Sequence, residues 1–282
     1  MTYSQFRDTQ QSFLSSNGTL KYIDKGEGDV LLLLHGIPTS GWLFRKMIDE
    51  LSNNYRVIVP DMLGFGSSDS PKGYDIYAPQ EHAKRLLELM SFLNINSWNH
   101  VFHDAGGLWT WELIKVAPEK INALIILNTI IFKEGFNPPI RFKKGIIAKC
   151  IMAMYSTGIT TNVMLNGLFK TGLKSDTELT QLDIEGYKTP LLEGKTKAMY
   201  QFFSNTCNDL PDYTNIVSQL NMPKLIIWGK EDDFLVFDKM KDKVNEFLIS
   251  SQKNIHLIDA KHFIQEEQPK QINSLILKFL KN

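Results

Sequence analysis

Short apolar runs alternate with amphipathic stretches along most of this chain. Runs of mainly Val, Ile and Leu occupy residues 30–34, 56–60, 98–102, 123–128, 224–228 and 254–258. Segments this short and this continuously apolar suit parallel strands covered on both faces. Between them, residues 42–51, 78–93 and 108–116 repeat apolar side chains every three or four positions, the period of a helix with one buried face. A last helix is predicted over 269–280, opened by Pro269, which a first helical turn tolerates. Ahead of the first run, 11–15 and 19–23 flank Asn17-Gly18, a strong local signal for a tight hairpin.

Strands alternating with helices imply right-handed crossovers and a doubly wound, mostly parallel α/β sheet. Ligands in such sheets sit beyond the carboxyl ends of the strands. The alternation lapses between about 131 and 215, which opens with Phe136-Asn137-Pro138-Pro139 and reads as short helices rich in Met, Phe, Lys and Thr. Three segments follow: a core over 1–130, a helical cap over 131–215 inserted after the sixth strand, and the rest of the core over 216–282. The Phe136 to Pro139 stretch reads as an ordinary loop or as a hinge for cap motion.

Composition removes several function classes. Of the 282 residues 43% are hydrophobic, and 31 Lys plus Arg balance 31 Asp plus Glu. A chain of zero net charge has no global field to attract phosphate backbones or anionic lipid, so neither nucleic acid nor membrane is expected as a partner. Cys150 and Cys207 lie far apart without metal-ligand spacing, so they read as reduced packing residues, with no metal site and no cofactor implied. No stretch reaches the ~18 uninterrupted apolar residues of a membrane span. The polar start of the chain lacks a signal-peptide pattern, which predicts a cytoplasmic protein, monomer or homodimer.

Three motifs stand where predicted strands end. His35-Gly36-Ile37-Pro38-Thr39-Ser40 follows the first run, and its glycine lets the loop turn and aim the Ile37 amide. Phe102-His103-Asp104-Ala105-Gly106-Gly107 lies between a strand and a helix, where a sharp turn pushes the Asp104 side chain out above the sheet. The Ala105 amide at the helix start would join Ile37 as a second oxyanion donor. Alone, Asp104 is equally readable as a helix N-cap. Near the end, Asp232 follows the run at 224–228, and His262 follows the run at 254–258. Nucleophile, acid and histidine, each after a different strand and in that order, form a hydrolytic triad.

With these residues in place, the chain resembles the α/β-hydrolase superfamily, in particular its epoxide hydrolase and haloalkane dehalogenase branch. The likeness runs through HGIPTS, DMLGFGSSD (61–69), FHDAGG, IIWGKED and KHFIQEEQP, and is loose in the cap. It implies that Asp104 is the nucleophile, His262 the general base and Asp232 the acid. Asp233 is the neighbouring rival, but Asp232 stands three residues beyond Gly229, as in the family. A carboxylate with a reference pKa of ~3.9 is already ionised at neutral pH and attacks a tetrahedral carbon without help. The product is an alkyl ester on Asp104, which water activated by His262 hydrolyses while the Ile37 and Ala105 amides hold the oxyanion.

The leaving group divides the branch. Epoxide opening yields an alkoxide that needs a proton, and the resemblance implies cap tyrosines as donors. Tyr200 is the better candidate by position and Tyr155 the second, with Tyr187 and Tyr213 also in or beside the insertion. Dehalogenases carry a Trp after the nucleophile and commonly an Asn after His-Gly, where this chain has Ala105 and Ile37. The bulky Phe102, the run HGIPTSGWLFRKM and the Asn128-Thr129 pair look dehalogenase-like, whereas His103 looks like an epoxide hydrolase elbow. The expected activity is therefore hydrolysis of an epoxide on a hydrophobic small molecule. Haloalkane dehalogenation at an atypical halide site, and a catalytically silent ligand receptor, stand as alternatives.

Overall fold

A computed structural model describes residues 1–248 and 252–281. Eight strands form one sheet: β1 (Gln11–Ser15), β2 (Gly18–Lys25), β3 (Val30–Leu34), β4 (Arg56–Asp61), β5 (Trp98–Asp104), β6 (Ile121–Thr129), β7 (Lys224–Gly229) and β8 (Ile255–Ile258). Their order is β1-β2-β4-β3-β5-β6-β7-β8. The hairpin β1–β2 joins β4 antiparallel, and β3 to β8 are mutually parallel. The six apolar runs become β3 to β8, and Leu31–Leu34, Val57–Val59 and Leu124–Leu127 are buried throughout. The α/β fold expected from the alternation of elements is the fold observed.

The core helices are α1 (Tyr3–Asp8), α2 (Ile48–Leu51), α3 (Pro79–Phe92) and α4 (Gly106–Val116). Between β6 and β7 come α5 (Ile146–Met154), α6 (Ile159–Gly172), α7 (Gln181–Leu192), α8 (Lys197–Gln201) and α9 (Thr214–Ser218). The chain closes with α10 (Phe237–Lys243), α11 (Ile264–Glu267) and α12 (Pro269–Leu280). One local expectation needs correction, and one element was not anticipated. The predicted helix over 42–51 is a 3₁₀ turn, Gly41–Phe44, followed by the single turn of α2. Trp42, Leu43, Phe44, Met47, Ile48 and Leu51 are all buried, too wide a set for one helical face, while Arg45 is drawn inward to carboxylates. The polar start of the chain holds α1, opened by a capping box between Thr2 and Gln5, with Tyr3 and Phe6 edge-on to Trp42.

Two of the ties between the helical segment after β6 and the core lie away from the strand ends. Phe136 pairs with Leu235, and the Asn137 amide donates to the Phe234 carbonyl at 2.7 Å, pinning the Phe136 to Pro139 stretch to the loop after β7. Deeper, the fully buried Glu266 carboxylate receives the Arg45 guanidinium, the Lys46 ammonium at 2.8 Å and the Tyr187 hydroxyl of α7. Arg45 reaches on to Asp183, whose backbone carbonyl accepts from the Trp42 indole at 2.9 Å. Burying charges is costly, and removing one partner strands the other, at ~3–5 kcal/mol. Glu266→Ala should therefore lower the unfolding free energy by about 3 kcal/mol in urea titration. A loss below about 1 kcal/mol, the scale of a surface pair, would rule this network out as the anchor.

Candidate active site

The site is assembled where β3, β5, β6, β7 and β8 end. β5 terminates in Asp104, whose φ of +50° lies in the left-handed region. For a residue with a Cβ that conformation costs about 1–2 kcal/mol, so the surroundings must enforce it. Its carbonyl accepts from the Thr129 hydroxyl at 2.5 Å and from the Ile130 amide at 3.2 Å. A Cβ on Gly36 would stand 2.4 Å from the Asp104 Cβ, and one on Gly107 would stand 2.3 Å from the Thr129 hydroxyl. Only glycine allows the loop after β3 and the start of α4 to close around the turn.

The HGIPTS loop is held by the DMLGFGSSD motif. His35 donates from Nδ1 to the Gly36 carbonyl at 2.7 Å and accepts at Nε2 from the Met62 amide at 2.9 Å. Burial pushes its pKa down to about 4, so it stays neutral in that tautomer. Asp61 accepts from the amides of Gly41 and Ser67, each at 2.7 Å. So supported, the Ile37 amide donates to Asp104 Oδ2 at 2.7 Å, and the Ala105 amide nearby favours the charged form of this carboxylate.

His262 faces the other oxygen, with Nε2 3.7 Å from Asp104 Oδ1. Its Nδ1 donates to Asp232 Oδ2 at 2.9 Å. Asp232 is buried and accepts further from the Phe234 and Leu235 amides at 2.8 and 3.0 Å. Asp233 points away, exposed, and pairs with Lys261 at 2.9 Å. The backbone around the histidine is gripped by the insertion: the amides of His262 and Phe263 both donate to the Gly172 carbonyl. Beneath it, His103 donates from Nε2 to the His262 carbonyl at 3.0 Å, and burial pulls its own pKa well down.

Electrostatics separate the members. Burial raises the Asp104 pKa, against the opposing pull of His262 and the Ile37 and Ala105 amides. Burial disfavours the His262 cation, but Asp232 and then Asp104 outweigh it and hold its pKa above the usual 6.5. Burial, with the Asp104 charge nearby, pushes the Cys207 thiol up, so it remains protonated.

One set of contacts was not anticipated, although the Asn128-Thr129 pair stands out in the sequence. Asn128, with φ of +25°, donates from Nδ2 to Asp232 Oδ2 at 2.6 Å and to the Lys261 carbonyl at 3.1 Å, and accepts from the Gly229 amide at 3.0 Å. It clamps the acid to the histidine loop. The signal was there: a polar Asn-Thr pair closing an otherwise apolar strand.

A cavity of about 300 Å³ lies beside the loop after β3, lined by Pro38, Ile140, Tyr155, Leu168, Met199 and Phe203 among others. The two tyrosines stand differently to this cavity, whose walls include neither Asp104 nor His262. Tyr155 lines the cavity, whereas Tyr200 is buried outside its walls, its hydroxyl accepting from the Gly145 amide at 3.3 Å and its ring against Tyr74. Tyr187 and Tyr213 are committed to the carboxylates of Glu266 and Glu112.

A parallel sheet with an acid on a strained strand-to-helix turn, and a carboxylate-paired histidine beside it, defines an α/β-fold hydrolase. The comparisons agree. A family model for the alpha/beta hydrolase fold matches residues 29–145. "Epoxide hydrolase 1" of Caenorhabditis elegans is 26% identical, covering 93% of this chain and 67% of that one. A haloalkane dehalogenase of Psychrobacter cryohalolentis is 26% identical, over 92% of this chain and 86% of that one. A solved mutant of an epoxide hydrolase from Bacillus megaterium, in complex with its diol product, superposes with a TM-score of 0.73 at 25% identity, over 96% of this chain and all of that one. The chain is thus similar to α/β-fold hydrolases over its whole core, and the relatives it resembles include epoxide hydrolases and a haloalkane dehalogenase.

Because the folded-state His262 pKa lies above the ordinary 6.5, its proton stabilises the fold most below that pH, and the gain is lost as pH rises through the raised value. Asp232→Asn removes the chief raising charge. The His262 resonance should then titrate at lower pH than in wild type when followed by imidazole NMR, and an unchanged midpoint would refute this account of the pair.

Proposed function

We propose that Asp104 is the nucleophile of a two-step hydrolysis, with His262 as base and Asp232 as its orienting acid. One observation carries this: the two oxygens of a single carboxylate have different environments. Oδ2 sits on the Ile37 amide, while Oδ1 faces the imidazole at 3.7 Å. Oδ1 attacks a tetrahedral carbon and becomes the ester oxygen, and the leaving group departs with its electron pair. Oδ2 becomes the ester carbonyl, already at its donors. Water deprotonated by neutral His262 then adds to Cγ, and the negative charge develops on Oδ2 at the Ile37 and Ala105 amides. Each such donor contributes ~2.7–4 kcal/mol to transition-state stabilisation. Asp232 supports the imidazolium until the product alcohol takes the proton.

The leaving group we assign is an epoxide oxygen on a hydrophobic small molecule. Residues 131–215 act as a cap over the site, and the apolar cavity receives the rest of the substrate. Tyr155, in the cavity wall, donates to the developing alkoxide. A halide would need free N–H groups instead, and the indole N–H groups of Trp42, Trp98, Trp111 and Trp228 are all committed to internal acceptors. Trp109 packs against His35, Phe65 and His82. Haloalkane dehalogenation remains the second reading because a halide leaves without a proton, and one cavity tyrosine in place of two fits that as well. A silent receptor would have no use for a buried acid holding an imidazole toward a carboxylate.

His262→Gln should stall after the first step. Mass spectrometry of this variant after exposure to styrene oxide should find the adduct on Asp104, and Asp104→Ala should lower turnover by on the order of 10⁴. In a single turnover in heavy-oxygen water, the label should enter Asp104 and not the diol. Label found in the diol alone would exclude the ester. Tyr155→Phe should slow epoxide turnover about 100-fold or more while sparing any haloalkane turnover, since only the alkoxide needs the proton. Equal effects on both would remove Tyr155 from the reaction.

A further inference from the structure

Zero net charge conceals a sharply uneven distribution. From residue 135 to residue 175 the chain has no Asp or Glu, yet it carries Arg141, Lys143, Lys144, Lys149, Lys170 and Lys174. Lys174 pairs with Asp259 and Glu231. Among the described residues, no ion pair engages the other five; Lys149 lies over the Tyr74 and Tyr200 rings and Arg141 over Phe136.

The same segment presents apolar side chains to solvent. Ile146, Ile147 and Met154 of α5, and Ile159 and Val163 of α6, are 51–81% exposed. The other large exposed apolar residues, such as Leu14, Phe92, Val116 and Leu257, are scattered singly along the chain. This face adjoins the cavity, because Val163 is both exposed and part of its wall, beside Tyr155, Met164 and Leu168.

We propose that the α5–α6 face docks on an anionic lipid surface, with Ile146, Ile147, Met154 and Ile159 at the acyl boundary and Arg141, Lys143, Lys144, Lys149 and Lys170 among the phosphates. Exposed aliphatic residues bordered by unpaired cations are what an interfacial helix needs, and a polybasic face is attracted to anionic headgroups. Charge complementarity selects this occupant over a second copy of the chain, since a twofold interface here would set the same cations against each other. It also selects it over nucleic acid, which offers phosphates but nothing to cover adjacent isoleucines. No helix among the described residues is long and apolar enough to cross a membrane, so the contact is peripheral. Docked this way, the protein would hold its apolar cavity next to the bilayer, where hydrophobic substrates partition. The docking does not depend on the chemistry assigned to Asp104: one is read by sedimentation and the other by turnover.

The test is co-sedimentation of the full chain with vesicles of phosphatidylglycerol and phosphatidylcholine in equal parts, against phosphatidylcholine alone. Binding should favour the anionic vesicles and weaken as salt is raised. Lys143→Gln with Lys144→Gln should lower the partition coefficient about 25-fold, about five-fold for each cation removed. Ile146→Ser with Ile147→Ser should weaken binding at every salt concentration. Both double variants should keep wild-type turnover, as none of the four side chains lines the cavity. Ile147→Trp should show a blue-shifted emission on the anionic vesicles. Equal binding to both vesicle types, or binding indifferent to both double variants, would overturn the proposal. So would a dimer in light scattering that Ile147→Ser dissociates while no vesicle binding is seen.

Discussion

Everything in this site depends on one strained residue held in one place. Asp104 takes a left-handed backbone conformation that its Cβ disfavours, and the modest tolerance of aspartate for that region does not hold it there alone. What supports it is tertiary: β6 supplies the Thr129 hydroxyl and Ile130 amide to its carbonyl, and the loop after β3 comes close enough that Gly36 has room for nothing larger than hydrogen. The same close approach brings the Ile37 amide to the carboxylate. Strain and function are therefore one arrangement. A relaxed Asp104 would point its carboxylate elsewhere and lose the donors that distinguish its two oxygens.

The imidazoles show how burial and charge divide the labour. His35, His82, His100 and His103 are all buried, and all are pushed below the ordinary value, His35 to about 4 and His100 to about 3. Desolvation is the largest cause for each, with Arg85 adding to it at His82 and His262 at His103, and they serve as neutral struts. His262 is as deeply buried, yet its pKa moves the other way because two carboxylates face its two nitrogens. Four donors on Asp232, from Phe234, Leu235, Asn128 and His262, keep that acid from rotating away. The histidine that is chemically different is the one whose neighbours, and not its burial, were made different.

What could be read from the sequence follows from the range of the interactions involved. The strands were legible because burial on both faces writes a continuous apolar run, and the order Asp104, Asp232, His262 was legible because each follows such a run. The helix over 42–51 was misread because its period is overridden by Arg45, which turns inward to Glu266, more than two hundred residues away in sequence. The contacts of Asn128 were out of reach because its three partners lie at the end of β7 and after β7 and β8, none of them near it in the chain. The relative placing of Tyr155 and Tyr200 was out of reach, since spacing from the acid says nothing about which side of a short helix meets the cavity.

The insertion is coupled to the catalytic geometry more tightly than a detachable lid would be. The Gly172 carbonyl of α6 holds the backbone of His262, and Tyr187 of α7 meets Glu266, four residues further along the chain. Any motion that lifted α6 and α7 from the core would break the bonds that position His262 and would strand a buried carboxylate. The start of α6 differs: Ile159 and Val163 are exposed there, and Val163 also stands in the cavity wall. The side of this helical segment that holds the His262 backbone and the side that presents apolar surface to solvent are therefore different.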